Sequence, residues 1–327
     1  MKNSAPHRSW TLNLVSSAAT AALAIVIAFA LAAVITQSVQ AQTFTVLHSF
    51  TGGGDGAHPV GTLTLDGGGT LYGTTTWYGM NNCSPWYECG TVFKMSRRNS
   101  SWILQTLYTF DPTTGEDGYG PIGQLARDPS GVLYGTTYSG GKPWGSGTVF
   151  EVKPSPTRPV TVSAPWTEVR LHDFTSGDDG ANPEGDLLLD SAGNLYGTTF
   201  SGGKYGAGTV YKMTPSNGGW TYAVLYSFGG GTDGRNPVAG VARDAAGNLY
   251  GTAYDGGYYG YGVVYQVTPS GSETVLYNFT GGDDGDVPYA GVILDQSGNL
   301  YGATAFGGSG GGGVVFELSP GNGGWSY

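Results

Sequence analysis

The sequence D-G-A-N-P-E-G-D-L-L-L-D-S-A-G-N-L-Y-G occupies residues 179–197, and its skeleton recurs along the whole 327-residue chain. The skeleton is D-G-x-x-P, six further residues, and then D-x-x-G-x-L-Y-G. Five gapless copies are present, beginning at Asp55, Asp117, Asp179, Asp233 and Asp284. Five matches of this length cannot arise from composition alone, so the chain is a tandem repeat.

Each repeat contains four segments with the character of β-strands. The first ends at a second aspartate, the second contains Leu-Tyr-Gly, the third has the form Gly-[Thr/Val]-Val-[Phe/Tyr], and the fourth ends in Leu-[Tyr/His]-x-Phe. Gly, Pro, Asp and Asn separate them, as turns require. The repeat cores are residues 55–95, 117–152, 179–213, 233–267 and 284–318.

Units of 51 to 62 residues with four antiparallel strands are typical of β-propeller blades. The sequence therefore predicts an all-β fold, a β-propeller of five four-stranded repeats in residues 42–327. A parallel β-helix uses shorter coils, and a row of sandwiches needs about seven strands per unit. An open or truncated β-repeat array is the remaining alternative.

The two ends of the repeat region determine whether five blades can close into a ring. Residues 43–50 resemble a spare fourth strand, and we expect them to pair with the last blade and close the ring, which would remove an exposed sheet edge. However, the last residues, G-G-W-S-Y at 323–327, match the start of the fourth strand at 218–222. The chain is then either a piece of a longer array, or its last residues are displaced by the N-terminal strand.

Residues 1–41 differ in composition from the repeats and are predicted to be a signal peptide. Lys2 and Arg8 precede an apolar run over residues 21–35, and Val39-Gln40-Ala41 supplies small residues for cleavage. An uncleaved anchor is the alternative, although fifteen residues is short for a membrane span. We therefore expect a secreted or cell-surface protein with no membrane span in the mature chain.

The composition narrows the range of partners. The 14 basic and 24 acidic residues give a net charge of −10, which makes nucleic acid an unfavourable partner. The only two cysteines, Cys83 and Cys89, would form a local disulfide in an oxidising compartment, stabilising the fold by about 2 kcal/mol. No histidine lies near enough to complete a zinc site with them.

The ten recurrent aspartates are the only candidates for carboxylate chemistry, and we interpret them as structural turn residues. The second member of each pair follows the first by eleven residues. Because the pairs are equivalent in every repeat, they do not form one asymmetric active site. Calcium is an alternative ligand for the loops containing Asp178, Asp283 and Asp286, but no cofactor is required. The ten are Asp55, Asp66, Asp117, Asp128, Asp179, Asp190, Asp233, Asp244, Asp284 and Asp295.

Aromatic residues in the Gly-rich stretches between the second and third strands are candidates for ligand binding. Exposed rings repeated on successive blades would bind carbohydrate or a surface polymer with avidity. Packing over neighbouring glycines is the equally weighted alternative. The candidates are Trp77, Tyr78, Trp86, Trp144, Tyr205, Tyr258, Tyr259 and Tyr261.

The repeat resembles the Gloeo/Verruco (GloVer) tandem-repeat family through D-G-A-N-P-E-G at 179–185, D-S-A-G-N-L-Y-G-T-T-F-S-G-G at 190–203 and G-T-V-Y at 208–211. The resemblance covers nearly all of residues 43–327 and implies an exported bacterial repeat protein, without catalytic residues to transfer. We expect a multivalent binding or scaffold module. A structural surface protein without a ligand and a propeller glycoside hydrolase or lyase are the alternatives.

Overall fold

Five antiparallel sheets follow one another along the chain, as the repeat predicts. The computed structural model describes residues 43–79, 89–114, 117–142, 145–154, 166–321 and 324–327. Residues 48–327 form one unit, to which the description below applies. The only helical element in the described residues is a 3-10 turn, Pro112–Thr114.

We call the sheets blades 1 to 5, and in each the strands pair in chain order from first to fourth. Blade 2 has one additional short strand, Gly118–Pro121, which pairs with its second strand. The strands of blade 1 are Thr64–Leu65, Leu71–Thr75, Thr91–Arg98 and Ser101–Thr109; those of blade 2 are Ala126–Arg127, Leu133–Gly140, Thr148–Pro154 and Trp166–Asp173. Those of blade 3 are Leu188–Leu189, Leu195–Thr199, Thr209–Ser216 and Gly219–Ser227; those of blade 4 are Ala242–Arg243, Leu249–Ala253, Val263–Val267 and Glu273–Asn278; and those of blade 5 are Ile293–Leu294, Leu300–Ala303, Val315–Gly321 and Gly324–Ser326. The predicted order of strands within a repeat is confirmed.

Ring closure through the N-terminal strand is not found in the described residues. Residues 43–50 belong to none of the strands, and the fourth strand of blade 5 is Gly324–Ser326 itself. The last residues, whose sequence G-G-W-S-Y matches the strand start at 218–222, therefore pair with the third strand of their own blade. A hairpin between adjacent strands closes a much shorter loop than a pairing across the whole repeat region would. The open-array alternative agrees with this arrangement.

Both faces of each blade are apolar, and period-two alternation directs neighbouring residues to opposite sides. In blade 3, Leu195 and Tyr211 pack in a buried cluster with residues of blade 2, whereas Tyr196 and Val210 pack in a cluster with residues of blade 4. We call the side towards the preceding blade the leading face and the side towards the following blade the trailing face. The core therefore consists of layers between blades.

One aromatic contact recurs at each junction between blades. The phenylalanine that ends a fourth strand packs against the aromatic ring in the third strand of the next blade, as for Phe228 and Tyr265, whose ring centroids are 5.0 Å apart. Phe50 makes the same contact with Phe93 of blade 1, at 5.2 Å. The other pairs are Phe110–Phe150, Phe174–Tyr211 and Phe279–Phe316.

The first strands of blades 2 to 4 approach each other closely because glycines precede them. A Cβ added to Gly123 would lie 2.7 Å from the carbonyl oxygen of Gly185, and one added to Gly185 would lie 2.6 Å from the carbonyl carbon of Ala239. Side chains at these positions would push the blades apart. The glycines thus bring residues of neighbouring first strands to one place.

Candidate functional site

The first aspartate of each repeat joins the end of a fourth strand to the loop that follows it. After the fourth strand of blade 4, the carboxylate of Asp284, the first aspartate of the fifth repeat, accepts hydrogen bonds from the Thr280 backbone N–H and the Tyr277 hydroxyl, both at 2.9 Å. Asp55, Asp117, Asp179 and Asp233 accept the equivalent backbone bond, each from the residue four or six positions before it. These carboxylates therefore hold local turns together.

The second aspartate of each repeat holds the hairpin between the first and second strands. Asp244 accepts bonds from the backbone and side-chain amides of Asn248, both at 2.8 Å, and from the Tyr250 hydroxyl at 3.0 Å. The tyrosine is that of the Leu-Tyr-Gly signature. The corresponding tyrosine bond is present at Asp66, Asp128, Asp190 and Asp295.

The acidic loops do not assemble into a metal centre in the part of the chain that the structure describes. No group of three or more His, Cys, Asp or Glu side chains there has the arrangement of a metal site. Two of the loop carboxylates considered for calcium have different surroundings. Asp178 is exposed and adjoins Asp179, whose carboxylate is hydrogen-bonded within its turn. Burial raises the pKa of the Asp286 carboxyl.

Four of the predicted aromatic candidates are exposed tyrosines on equivalent loops of blades 3 and 4. Their exposed fractions range from 42% for Tyr261 to 74% for Tyr258. Tyr258 packs edge-on against Tyr259 at 5.0 Å, and Lys204 lies over the ring of Tyr205. The rings are therefore accessible, but they are spread over two loops.

The remaining aromatic candidates and the thiols are placed as follows. Trp77 is exposed and its ring lies 4.1 Å from that of His58, and Tyr78 has a positive φ of 62°. Cys89 is buried and disulfide-bonded. Trp86, Trp144 and Cys83 lie outside the described residues.

A cavity of about 280 Å³ lies where the first strands of blades 2 to 5 converge. Its polar side chains are those of Gln124 and Asp186, and backbone groups of Gly240 and Gly291 complete the lining with apolar residues of the same strands. The Asp186 carboxylate accepts a hydrogen bond of 2.6 Å from the Gln124 backbone N–H. This bond crosses from blade 2 to blade 3. We call this space the axial cavity.

A second group of residues, which we call the aromatic mouth, consists of Tyr138 on the second strand of blade 2, Tyr254 directly after the second strand of blade 4, Glu184 and Tyr289. Glu184 and Tyr289 precede cavity-lining residues by two positions. The Tyr254 and Tyr289 rings pack edge-on with centroids 6.0 Å apart. Burial raises the pKa of Tyr289, and the nearby Glu184 carboxylate, Tyr254 and Tyr138 raise it further. Burial also raises the pKa of Glu184. The mouth thus combines three aromatic rings with one carboxylate.

The axial cavity and the aromatic mouth are not among the sites predicted from the sequence. The predicted turn residues are identical in every repeat, whereas the residue after the proline varies from blade to blade. That position holds Val60, Ile122, Glu184, Val238 and Tyr289. Variation at one position of an otherwise regular repeat was the available signal.

Two half-buried glutamates on fourth strands each have one carboxylate oxygen that is buried and accepts no hydrogen bond. They are Glu168 of blade 2 and Glu273 of blade 4. Burial raises the pKa of Glu168 to about 8, with a further contribution from the Asp117 carboxylate. Burial and the Asp233 carboxylate raise that of Glu273 to about 7. Each glutamate is therefore close enough to the first aspartate of its own repeat for that carboxylate to raise its pKa further.

A wider groove of about 510 Å³ lies between the hairpins of blades 2 and 3. Asp128 and Asp190, two of the predicted turn residues, line it together with Arg127. Trp220 and Tyr134 form an edge-on aromatic pair in its wall, at 5.7 Å. The groove therefore contains both charge and aromatic surface.

The fold is that of an all-β repeat protein, with one cavity where first strands converge and one groove between neighbouring hairpins. The profile of the Gloeobacter/Verrucomicrobia repeat family matches residues 32–170 and 160–327. The chain belongs to this family, and the resemblance stated from the sequence is confirmed. No curated protein matches the chain.

Solved structures similar to this chain share little sequence with it. A protein of unknown function from Dyadobacter fermentans is 11% identical, with a TM-score of 0.45 over 80% of this chain and 78% of its own. The extracellular domain of a one-component system from B. thetaiotaomicron is 12% identical, with a TM-score of 0.47 over 83% of this chain and 28% of its own. A xylan β-1,4-xylosidase from Bacillus halodurans is 13% identical, with a TM-score of 0.42 over 82% of this chain and 54% of its own. The chain thus spans well under two thirds of the last two structures.

Within the described residues, no helix has the length and apolar character needed to cross a membrane.

Proposed function

We propose that this protein is an exported binding module that takes a terminal sugar unit of a surface carbohydrate at its axial cavity. The observation that carries the proposal is the convergence of polar groups and aromatic rings from four blades. Gln124 and Asp186 line the cavity, and Glu184 and Tyr289 lie two residues before cavity-lining positions. The Tyr254 ring packs edge-on against that of Tyr289.

The chemistry of this group suits a polyhydroxylated ligand. Carboxylate and amide groups form directional hydrogen bonds with hydroxyls, and aromatic rings present flat apolar surface to the C–H faces of a sugar. Ligand cavities usually measure roughly 300–1,000 Å³. A volume of about 280 Å³ therefore suits one small unit at the end of a polymer.

The residues near the axial cavity differ from blade to blade, whereas the loops are equivalent in successive blades. This difference favours a single binding site at the axial cavity. Glu184 and Tyr289 each occur at a position that holds other residue types in the remaining blades. The exposed tyrosines Tyr205, Tyr258, Tyr259 and Tyr261 could add contacts to the rest of a polymer, which would make binding multivalent. The apolar N-terminal segment with Lys2 and Arg8 supports export.

The test is binding of the exported protein to an array of glycans and polysaccharides, followed by calorimetry with the tightest ligand. Runs with and without calcium test the loop aspartates as cation ligands. Tyr289→Ala and Glu184→Gln should each weaken binding about 5- to 50-fold, roughly 1–2.3 kcal/mol. Tyr258→Ala is the matched control, an exposed tyrosine away from the cavity, and it should change monosaccharide affinity less than twofold.

Other outcomes would replace the proposal. Release of reducing ends from a bound glycan would indicate a propeller glycoside hydrolase or lyase. Loss of binding in Tyr258→Ala, with Tyr289→Ala unaffected, would move the site to the loop tyrosines. Failure to bind any glycan would support a structural surface protein without a ligand.

A further inference from the structure

The axial cavity carries one negative charge that nothing in its wall balances. Asp186 is the only charged side chain among the residues that line it, and no Lys, Arg or His of the described chain is among them. Its Oδ1 atom accepts the 2.6 Å hydrogen bond from the Gln124 backbone N–H, whereas Oδ2 accepts no hydrogen bond from any residue that the structure describes. A ligand that displaces water from this oxygen must replace the hydrogen bonds that the water made. The cavity therefore favours a ligand with a donor, and a charged donor above a neutral one.

Glu184 is a second carboxyl group without a partner, two positions before Asp186. It is half-buried, and it forms no hydrogen bond or ion pair with the described part of the chain. Burial raises the pKa of Glu184, and no donor or basic group offsets this effect. A carboxyl group withdrawn from water for structural reasons normally has a donor or a cation beside it. The missing partner of Glu184 therefore indicates a group that arrives with a ligand.

The tyrosines of the aromatic mouth provide the other surface that an ammonium group prefers. Tyr289 is 56% exposed, and its ring packs edge-on against that of Tyr254. The Glu184 carboxylate is close enough to contribute to the raised pKa of Tyr289. The face of an aromatic ring attracts cations, and a neighbouring carboxylate adds to that attraction. Ring and carboxylate together therefore favour a cation over a neutral or an anionic group.

The charge of the whole chain favours the same class of ligand. The sequence has 24 acidic and 14 basic residues, which give a net charge of −10. A protein with this charge attracts a cationic polymer from solution and repels a polymer that carries uronate or sulfate groups. The overall charge and the carboxyl groups at the axial cavity therefore select in the same direction.

We propose that the sugar unit bound at the axial cavity is an amino sugar with a free ammonium group. The inference rests on the proposed function and specifies the ligand of the same site. The ammonium group has three N–H donors, of which one would donate a charge-assisted hydrogen bond to Oδ2 of Asp186. Further ammonium groups of the same polymer would lie against Glu184 and Tyr289. An N-acetylated or hydroxylated sugar of the same shape lacks the charge that these carboxyl groups need.

The test is calorimetry of the exported protein with three β-1,4-linked tetrasaccharides, composed of glucosamine, N-acetylglucosamine or glucose. They differ only in the group at C2, and a pH of about 6.5 keeps the amines protonated. Asp186→Asn removes the charge of the cavity and keeps an oxygen that can accept the Gln124 N–H. Asp178→Asn is the matched control, because it removes one charge from an exposed loop carboxylate that does not line the cavity. Circular dichroism establishes that each variant folds.

We expect the wild type and Asp178→Asn to bind the glucosamine tetrasaccharide about 10- to 100-fold more tightly than the other two, as a hydrogen bond between charged groups provides. In Asp186→Asn this preference should fall below about threefold, while affinity for the glucose tetrasaccharide changes less than about threefold.

Two results overturn the inference and leave the proposed function standing. They are a wild type that binds the N-acetylated or the glucose tetrasaccharide as tightly as the amine, and a preference for the amine that Asp186→Asn retains in full. An equal loss of preference in Asp178→Asn also overturns the inference, because the overall charge would then account for it. Failure to bind any glycan overturns the proposed function and this inference together.

Discussion

Replacing Glu168 with glutamine should stabilise the protein at alkaline pH and leave it almost unchanged at acidic pH. One oxygen of this carboxylate is buried without a hydrogen bond, and the Asp117 carboxylate lies nearby. Burial disfavours the charged form, so the folded chain holds this proton more tightly than the unfolded chain does. Glutamine keeps the shape of the side chain and cannot ionise.

The sign of the effect follows from proton binding. The pKa of Glu168 is raised from 4.5 to about 8 in the folded protein. Between these two pH values the folded state binds more protons than the unfolded state, so the free energy of unfolding falls as pH rises. The loss in free energy of unfolding caused by ionising Glu168 is absent below pH 4.5 and complete above about pH 8.

The stabilisation expected from Glu168→Gln at alkaline pH has an upper limit. If the whole rise in pKa appeared in the free energy of unfolding, it would correspond to roughly 5 kcal/mol at about 1.36 kcal/mol per pH unit. The Arg170 guanidinium opposes the rise, and water reaches part of the side chain, so we expect about 1–3 kcal/mol. For a protein of this size that is an increase of about 2–8 °C in Tm.

Thermal unfolding followed by circular dichroism at pH 5, 7 and 9 measures this difference. The Tm of Glu168→Gln minus that of the wild type should be near zero at pH 5 and largest at pH 9. Asp178→Asn is the control, because it removes an exposed carboxylate. The reasoning is refuted by an equal difference at pH 5 and pH 9, or by a variant that is less stable than the wild type at pH 9.

Other changes have equally direct consequences. Phe228→Ala removes a buried ring from the junction of blades 3 and 4. It should lower the free energy of unfolding, measured by urea titration, by about 3–5 kcal/mol. A loss below about 1 kcal/mol would contradict the packing role of this ring. Asp244→Ala removes three hydrogen bonds from one hairpin and should lower the free energy of unfolding by about 1–3 kcal/mol at pH 7. These bonds hold the pKa of the folded Asp244 carboxyl below 3.8, so its contribution declines as pH falls below 3.8 and the loss should be smaller near pH 3. An undiminished loss at pH 3 would argue against a role of the carboxylate. Intact-mass analysis of exported protein should give Gln42 as the first residue, and retention of residues 1–41 would refute this. Cys83 and Cys89 should resist alkylation until they are reduced, and alkylation of both thiols without reductant would refute the disulfide.

The site could be predicted from the sequence only in part. The turn aspartates were found because identical residues recur at fixed spacing, and the exposed loop tyrosines because they lie in Gly-rich stretches. Glu184 and Tyr289 gave no such signal, since each appears in a single repeat. The proposed role of these two residues depends on where the chain places them, beside Tyr138 and Tyr254 of other blades.

The sequence by itself determined the repeat, the four strands of each blade and their order. These features depend on turn residues and on period-two alternation, which act over a few neighbouring residues. Tertiary structure decided which residues meet around the axial cavity, because that depends on how successive blades rotate and pack. It also decided the pairing at the ends: Gly324–Ser326 pairs with the adjacent third strand of its own blade, and residues 43–50 form no strand. A local hairpin loses less chain entropy than a contact between distant ends, and a single repeat motif cannot distinguish the two.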